Sequence, residues 1–160
     1  MTADRLYFAQ HGLAVNKAED PERPLSKDGI EQTTSVANQL RAADIPVTNI
    51  FHSKKLRSQQ TAEIFSSVLK SIDLKQAKIS GIDHLSPNDD ISLIKQHLTA
   101  SNALYIGHLP HIEKLVTSLI TDDEDLNIIK FQNSAVICLE KKETRYQILW
   151  YITPNIDYLS

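Results

Sequence analysis

Short apolar runs of strand length alternate with longer segments of helical period, and that alternation constrains the fold more than any other feature of the chain. It is the pattern of a layered α/β domain. Leu6-Tyr7-Phe8-Ala9 predicts a first strand, and a polar stretch through Pro21 and Pro24 follows it. Ser26 then reads as the N-cap of a helix reaching to about Ala43, with Ile30, Val36, Ala37 and Leu40 toward the core. Asn49-Ile50-Phe51, entered after Pro46, predicts a second strand. A helix from about Leu56 to Ile72 follows, its stripe marked by Phe65, Val68, Leu69 and Ile72. Lys78-Ile79 reads as a short edge strand, and Ile91, Ile94 and Leu98 mark another helix. Ala103-Leu104-Tyr105-Ile106 carries no charge, as expected of a strand covered on both faces. Ile112, Leu115, Val116, Leu119 and Ile120 form the most regular amphipathic stripe. Ala135–Leu139 and Tyr146–Ile152, joined across the charged turn Glu140–Thr144, predict an antiparallel hairpin.

The length, 160 residues, suits one domain spanning 1–160. A hydrophobic fraction of 41% and a charged fraction of 23% are those of an ordinary globular chain. A net charge of −3 offers no global attraction to nucleic acid or to an anionic membrane. No apolar run approaches the roughly 20 residues needed to span a bilayer. Met1-Thr2-Ala3-Asp4-Arg5 has no signal-peptide character. The single cysteine, Cys138, lies in an apolar run and reads as a buried hydrophobe in a reducing compartment. A cytoplasmic location is the expectation. Asp122-Asp123-Glu124-Asp125 lacks the glycine and spacing of a calcium loop and reads as a solvated turn.

The three predicted core strands each end in a polar cluster with a histidine: Gln10-His11-Gly12, His52-Ser53 and Gly107-His108. Ligands of open α/β sheets bind just beyond the carboxyl ends of strands. With neighbouring strands about 4.8 Å apart, such residues can converge on one small ligand. Gly12 and Gly107 are two of only four glycines, and each would permit close backbone approach beside its histidine. His52, His84, His97 and His111 also read as ordinary core or surface residues. His108 and His111 lack a matching set of further ligands, so no metal is expected. Arg57, one turn into the helix after Ser53, and Arg23, in the first long loop, can hold phosphate oxygens through their guanidinium groups.

These residues resemble the histidine phosphatases, the phosphoglycerate-mutase-like superfamily. Phe8–Ala14 resembles the Arg-His-Gly opening signature, and Arg23-Pro24-Leu25-Ser26-Lys27-Asp28-Gly29 is similar to the Arg-Pro-Leu-Ser/Thr-x-x-Gly stretch. His52–Ala62 resembles the Ser-x-x-x-Arg-x-x-Gln-Thr-Ala block, and Ile106–Pro110 the late Gly-His-x-Pro element. Four motifs in the family's order span positions 8 to 110. Together with Leu85-Ser86-Pro87-Asn88 they point to the SixA-type phosphohistidine phosphatases as the nearest resemblance.

The resemblance implies a three-layer α/β/α sandwich with a mostly parallel central sheet and an antiparallel edge near the C-terminus. It implies His11 as a nucleophile that becomes transiently phosphorylated, with Arg57 and His108 binding the transferring phosphoryl group. Neutral imidazole suits the first role, and a nearby Arg57 disfavours its protonation. A protonated His108 would neutralise a phosphoryl oxygen. No metal or organic cofactor is implied.

Two departures bear on turnover. Gln10 stands where the family has arginine, so a donor remains without its charge; Arg23 is the nearest replacement cation. Leu85-Ser86-Pro87 stands where many relatives carry a glutamate acid, leaving Asp83 and His84 as possible acids. A phosphohistidine leaving group needs less help from an acid than an alkoxide does. The short connection from Ile72 to Ala103 leaves no lid, which suits a phosphorylated protein as substrate better than a small metabolite. Three readings follow: a phosphatase of protein phosphohistidine, a phosphatase of small phosphomonoesters, and a phosphohistidine-binding module that turns over poorly because of Gln10.

Overall fold

The computed structural model describes residues 3–69 and 77–154. Its order is β1 (Arg5–Gln10), α1 (Lys27–Ala42), β2 (Asn49–His52), α2 (Leu56–Val68), β3 (Lys78–Gly81), α3 (Ile91–Lys95), β4 (Ala103–Gly107), α4 (His111–Thr121), β5 (Val136–Lys142) and β6 (Arg145–Ile152). One six-stranded sheet runs β3-β2-β4-β1-β5-β6. β2 pairs parallel with both β3 and β4, and β1 pairs parallel with β4. β5 and β6 add the antiparallel edge.

Side chains alternate along each strand, and the two faces fill different cores. Leu6, Phe8, Tyr105, Ile137 and Leu139 meet Ile91, Ile94, Ile112, Leu115 and Val116 of α3 and α4. Tyr7, Ala9, Ile50, Leu104 and Ile106 meet Val36, Ala37 and Leu40 of α1 and Ala62 and Phe65 of α2. That is the expected three-layer sandwich. β4 is buried along its whole length, as its uncharged sequence predicts. Cys138 is buried in the α1–α2 core.

Ser26 caps α1, its Oγ accepting from the Gly29 N–H at 3.0 Å. The buried stripe of α1 is Gly29, Thr33, Val36, Ala37 and Leu40. Ile30, expected in the core, is instead 48% exposed. The reason is a close approach: a Cβ at Gly29 would lie 2.1 Å from the Leu13 carbonyl oxygen. The stripe therefore starts at the residue without a side chain, and Ile30, about 100° further round the helix, faces outward.

α2 ends at Val68, capped by Leu69, and Ile72 of its predicted stripe lies outside the described residues. α3 is shorter than its apolar spacing suggests, with Leu98 buried beyond its end. The hairpin strands extend through Glu140-Lys141-Lys142, so the turn is confined to Glu143-Thr144. Among the described residues, no helix is long and apolar enough to cross a membrane.

Candidate active site

β2, β4 and β1 are neighbours, and their carboxyl ends lie side by side. The ladder continues one residue past two of them. His11 N–H donates to the Gly107 carbonyl at 3.0 Å, and Ser53 N–H to the Ile106 carbonyl at 3.2 Å. The backbone before each side chain of interest is therefore held by the central strand.

His11 is 8% exposed. Its Nδ1 lies 2.7 Å from the Gly12 carbonyl oxygen. A carbonyl can only accept, so Nδ1 carries the proton and Nε2 keeps its lone pair. The Arg57 Nε–H approaches that Nε2 at 3.4 Å. Burial, then the charges of Arg57 and Arg23, lower the imidazole pKa to about 4 against the opposing pull of the Gly12 carbonyl. At neutral pH the ring is uncharged with an available lone pair.

The His108 ring centroid lies 4.8 Å from that of His11. His108 is 1% exposed, and its Nε2 contacts Ser53 Oγ at 2.6 Å and Ser58 Oγ at 3.3 Å. Its buried Nδ1 has no partner among the described residues. Burial, followed by the fields of His11, Arg57 and Lys55, lowers its pKa to about 2. Burial and these charges therefore disfavour a charged His108 in the free site. In this state its Nε2 is a hydrogen-bonding group beside two hydroxyls.

The positive charge comes from three side chains: Arg57, Arg23 and Lys55. None is in an ion pair among the described residues, whereas neighbouring Lys54 is paired with Asp83 at 2.7 Å. Arg23 sits at a left-handed φ of 50°, and its Nε–H donates to the Val15 carbonyl at 3.2 Å. Its charge is felt at both His11 and Arg57. Cations left unpaired beside two neutral imidazoles make an anion site.

Gln10 sits at the end of β1 with its Oε1 buried and without a donor among the described residues, and the Gln132 Oε1 is in the same condition. Asp83 does not fit the role of acid. Its exposed carboxylate is turned to Lys54, whose hydrogen bond and charge hold its pKa below the usual range, so it is ionised at neutral pH. His84 stacks on His97 with centroids 5.9 Å apart. The His52 Nδ1–H donates to the Ser53 carbonyl at 2.7 Å, and its ring lies against Gly81 of β3, on the side of β2 away from β4.

Close approach is required at Gly12, where a Cβ would lie 2.7 Å from Thr33 Oγ1. Gly107 departs from expectation, because a Cβ there would meet Ile112 Cδ1 at an ordinary 3.4 Å.

Several residues that position His11 were not singled out in the sequence. Thr61 Oγ1 accepts from the Gly12 N–H at 2.9 Å and donates to the Arg57 carbonyl at 2.7 Å, tying the two segments together. Asn133 Nδ2 donates to the His11 carbonyl at 3.0 Å, and Ser134 N–H donates to the carbonyls of Gln10 and His11. Thr33 Oγ1 donates to the Gly29 carbonyl at 2.7 Å, so the 2.8 Å contact between Thr33 and Ser134 has Ser134 as donor. The polar triplet Gln132-Asn133-Ser134 immediately before an apolar strand was the available signal.

Comparison with known proteins bears on the family and the fold. The family model of the histidine phosphatase superfamily (branch 1) matches residues 6–79. Phosphohistidine phosphatase SixA of Escherichia coli K12 is 27% identical over 122 residues, covering 72% of this chain and 73% of that protein. The structure of the protein histidine phosphatase SixA complexed with tungstate superposes with a TM-score of 0.80 at 25% identity, covering 98% of this chain and 99% of that one. Phosphoglycerate mutase from Bacillus anthracis shares the fold, with a TM-score of 0.66 at 14% identity over 99% and 96% of the two chains.

Proposed function

We propose, from the premise that this chain is a relative of the histidine phosphatase superfamily, that it is a phosphatase working through a phosphorylated His11, with protein phosphohistidine as its substrate class. One observation carries the reading. The His11 Nε2 lone pair is exposed to the cations by the Nδ1–Gly12 hydrogen bond, and the ring is neutral at working pH.

In the first step Nε2 of His11 forms a bond to phosphorus as the substrate's P–N bond breaks on the opposite side. Arg57, Arg23 and Lys55 offset the charge of the phosphoryl oxygens, and His108 donates or accepts a hydrogen bond there. The departing imidazole takes up a proton from solvent and leaves neutral. In the second step water attacks the phosphorylated His11, releasing inorganic phosphate and restoring the ring. The Gly12 carbonyl holds the Nδ1 proton throughout. Gln10 contributes a neutral amide, so the cation count rests on the other segments.

Asp83 bears on the choice of substrate. An alkoxide leaving group needs a positioned acid, and this carboxyl is exposed and ionised. An imidazole leaving group needs less help, because it can take up its proton from solvent near neutrality, which favours P–N over P–O substrates.

The test is intact mass during turnover of a phosphohistidine protein and of a phosphomonoester. The expected result is an acid-labile adduct of one phosphoryl group that is absent in His11→Ala. Gln10→Arg serves as a comparison in the same assay. No adduct and no hydrolysis by the natural protein, with binding retained, would leave a phosphohistidine-binding module in place of the enzyme.

A further inference from the structure

The three cations of the site are not spread evenly around it. Arg57 bears on both rings, Arg23 on His11, and Lys55 on His108. Apart from Arg57, the His108 flank therefore depends on Lys55 for positive charge.

The backbone fixes where Lys55 stands. Its N–H donates to Ser53 Oγ at a long 3.4 Å, and its carbonyl accepts from the Ser58 N–H at 3.0 Å. Those are the two serines whose hydroxyls meet His108 Nε2. Arg57 follows two residues on, in the first turn of α2. Lys55 is the N-cap of that helix, yet its side chain makes no capping bond, and its ammonium enters no ion pair among the described residues. Lys54, one residue earlier, is matched by Asp83.

Position 10 lies on the other side of the same ring. Gln10 is paired with Gly107, the residue before His108, on the β1 edge of β4. Ser53 N–H is held by the Ile106 carbonyl on the β2 edge. His108 thus follows a strand flanked by Gln10 on one side and by the Ser53–Lys55 segment on the other. An amide at position 10 offers hydrogen bonds and no charge.

We infer that Lys55 is a phosphoryl-binding cation that supplies, from the β2 side of His108, the positive charge that Gln10 does not supply from the β1 side. The inference deepens the function proposed above and rests on it. A phosphoryl group brings about −1.5 to −2 of charge, and a cation whose head reaches its oxygens stabilises it. An ammonium on a flexible four-carbon stem can do so as a point charge, without the fixed fork of a guanidinium. The two positions are then alternatives. A cation at either one serves the same oxygens, and a second, meeting charge already offset and repelled by the first, adds less.

Two measurements test this: titration calorimetry with inorganic phosphate, and steady-state hydrolysis of the phosphoramidate ion, which carries a P–N bond and no protein. The proteins are the natural chain, Lys55→Met, Gln10→Arg and the double variant. Lys54→Met, which removes the paired charge next door, is the control and leaves both readings within about twofold. Lys55→Met weakens phosphate binding and lowers kcat/KM about tenfold. That is less than the roughly 10²–10³ lost with an enclosed donor, because Lys55 is exposed, and the loss shrinks at high salt. Gln10→Arg recovers most of the loss in the Lys55→Met background and gains much less in the natural one, the non-additivity of two groups acting on one target. Lys55→Met indistinguishable from Lys54→Met would overturn the role of Lys55, and an equal effect of Gln10→Arg in both backgrounds would overturn the exchange. Either result leaves the phosphatase standing. The expected pattern in phosphate binding with no hydrolysis by the natural protein would overturn the enzyme while bearing out Lys55 as a phosphate ligand.

Discussion

Lowering the pH is the most direct perturbation of the proposed nucleophile. The His11 ring is displaced from the ordinary 6.5 to about 4, and burial is the largest cause, ahead of Arg57 and Arg23. The gap corresponds to about 3 kcal/mol against charging the ring in the fold. At pH 5 a histidine of ordinary pKa is about 3% neutral, whereas one titrating at about 4 is about 90% neutral, a contrast of roughly thirtyfold. The linkage sign is fixed. The unfolded chain takes up the proton first, so the neutral ring's contribution to stability is complete above about pH 6.5 and is lost as pH falls toward 4. Imidazole resonances of the free protein, followed by NMR from neutral to acid pH, read the midpoint directly and avoid the titration of the substrate's own phosphoryl group. Arg57→Gln moves the midpoint upward while leaving it below 6.5, because the larger cause remains. A His11 midpoint at or above 6, or one restored fully to 6.5 by Arg57→Gln, would refute the assignment of burial as the dominant cause.

Gly29→Ala places a methyl group 2.1 Å from the Leu13 carbonyl oxygen, which also accepts from the Ser26 N–H and Oγ–H, so the start of α1 and the His11 loop move together. Urea denaturation shows a loss of about 3 kcal/mol, while Gly107→Ala, meeting Ile112 at 3.4 Å, stays within about 1 kcal/mol. Ser53→Ala removes the 2.6 Å contact to His108 Nε2 and leaves the ring to Ser58 alone; kcat falls about tenfold with KM for phosphoramidate little changed, read by steady-state kinetics.

The layered fold was legible because its two periodicities are strong. The uncharged run at 103–106 becomes the fully buried β4, and Ser26 caps α1 as its chemistry suggests. Ile30 was not legible, because a hydrophobic residue beside a true stripe reads as part of it. What turns the helix is a backbone approach at Gly29, and no count of apolar residues reveals a carbonyl coming from residue 13. The convergence of His11, Arg57 and His108 could be read because each lies at or after the end of a strand and the strands are neighbours, while their roles are what the family resemblance implies. Thr61, Asn133 and Ser134 act through hydroxyl, amide and backbone groups on distant segments, and such residues have many other uses in a chain. Asp83 looked available as an acid because the sequence does not show that Lys54 reaches it.

Burial and the neighbouring cations account for two histidines, so easily protonated in water, staying uncharged in the free site. In the free protein, burial and the Arg57 field, joined by Arg23 at His11 and Lys55 at His108, act in one direction on both rings. A phosphoryl group brings negative charge of about −1.5 to −2 into the same space. Its field opposes that of the cations, so both imidazoles become easier to protonate in the complex than in the free protein. The two rings do not respond alike. His11 holds its Nδ1 proton against the Gly12 carbonyl and presents Nε2 to phosphorus, so its lone pair is consumed in the new bond. His108 has its Nε2 placed against two serine hydroxyls and its Nδ1 without a partner among the described residues, so its lone pair is not consumed in the new bond.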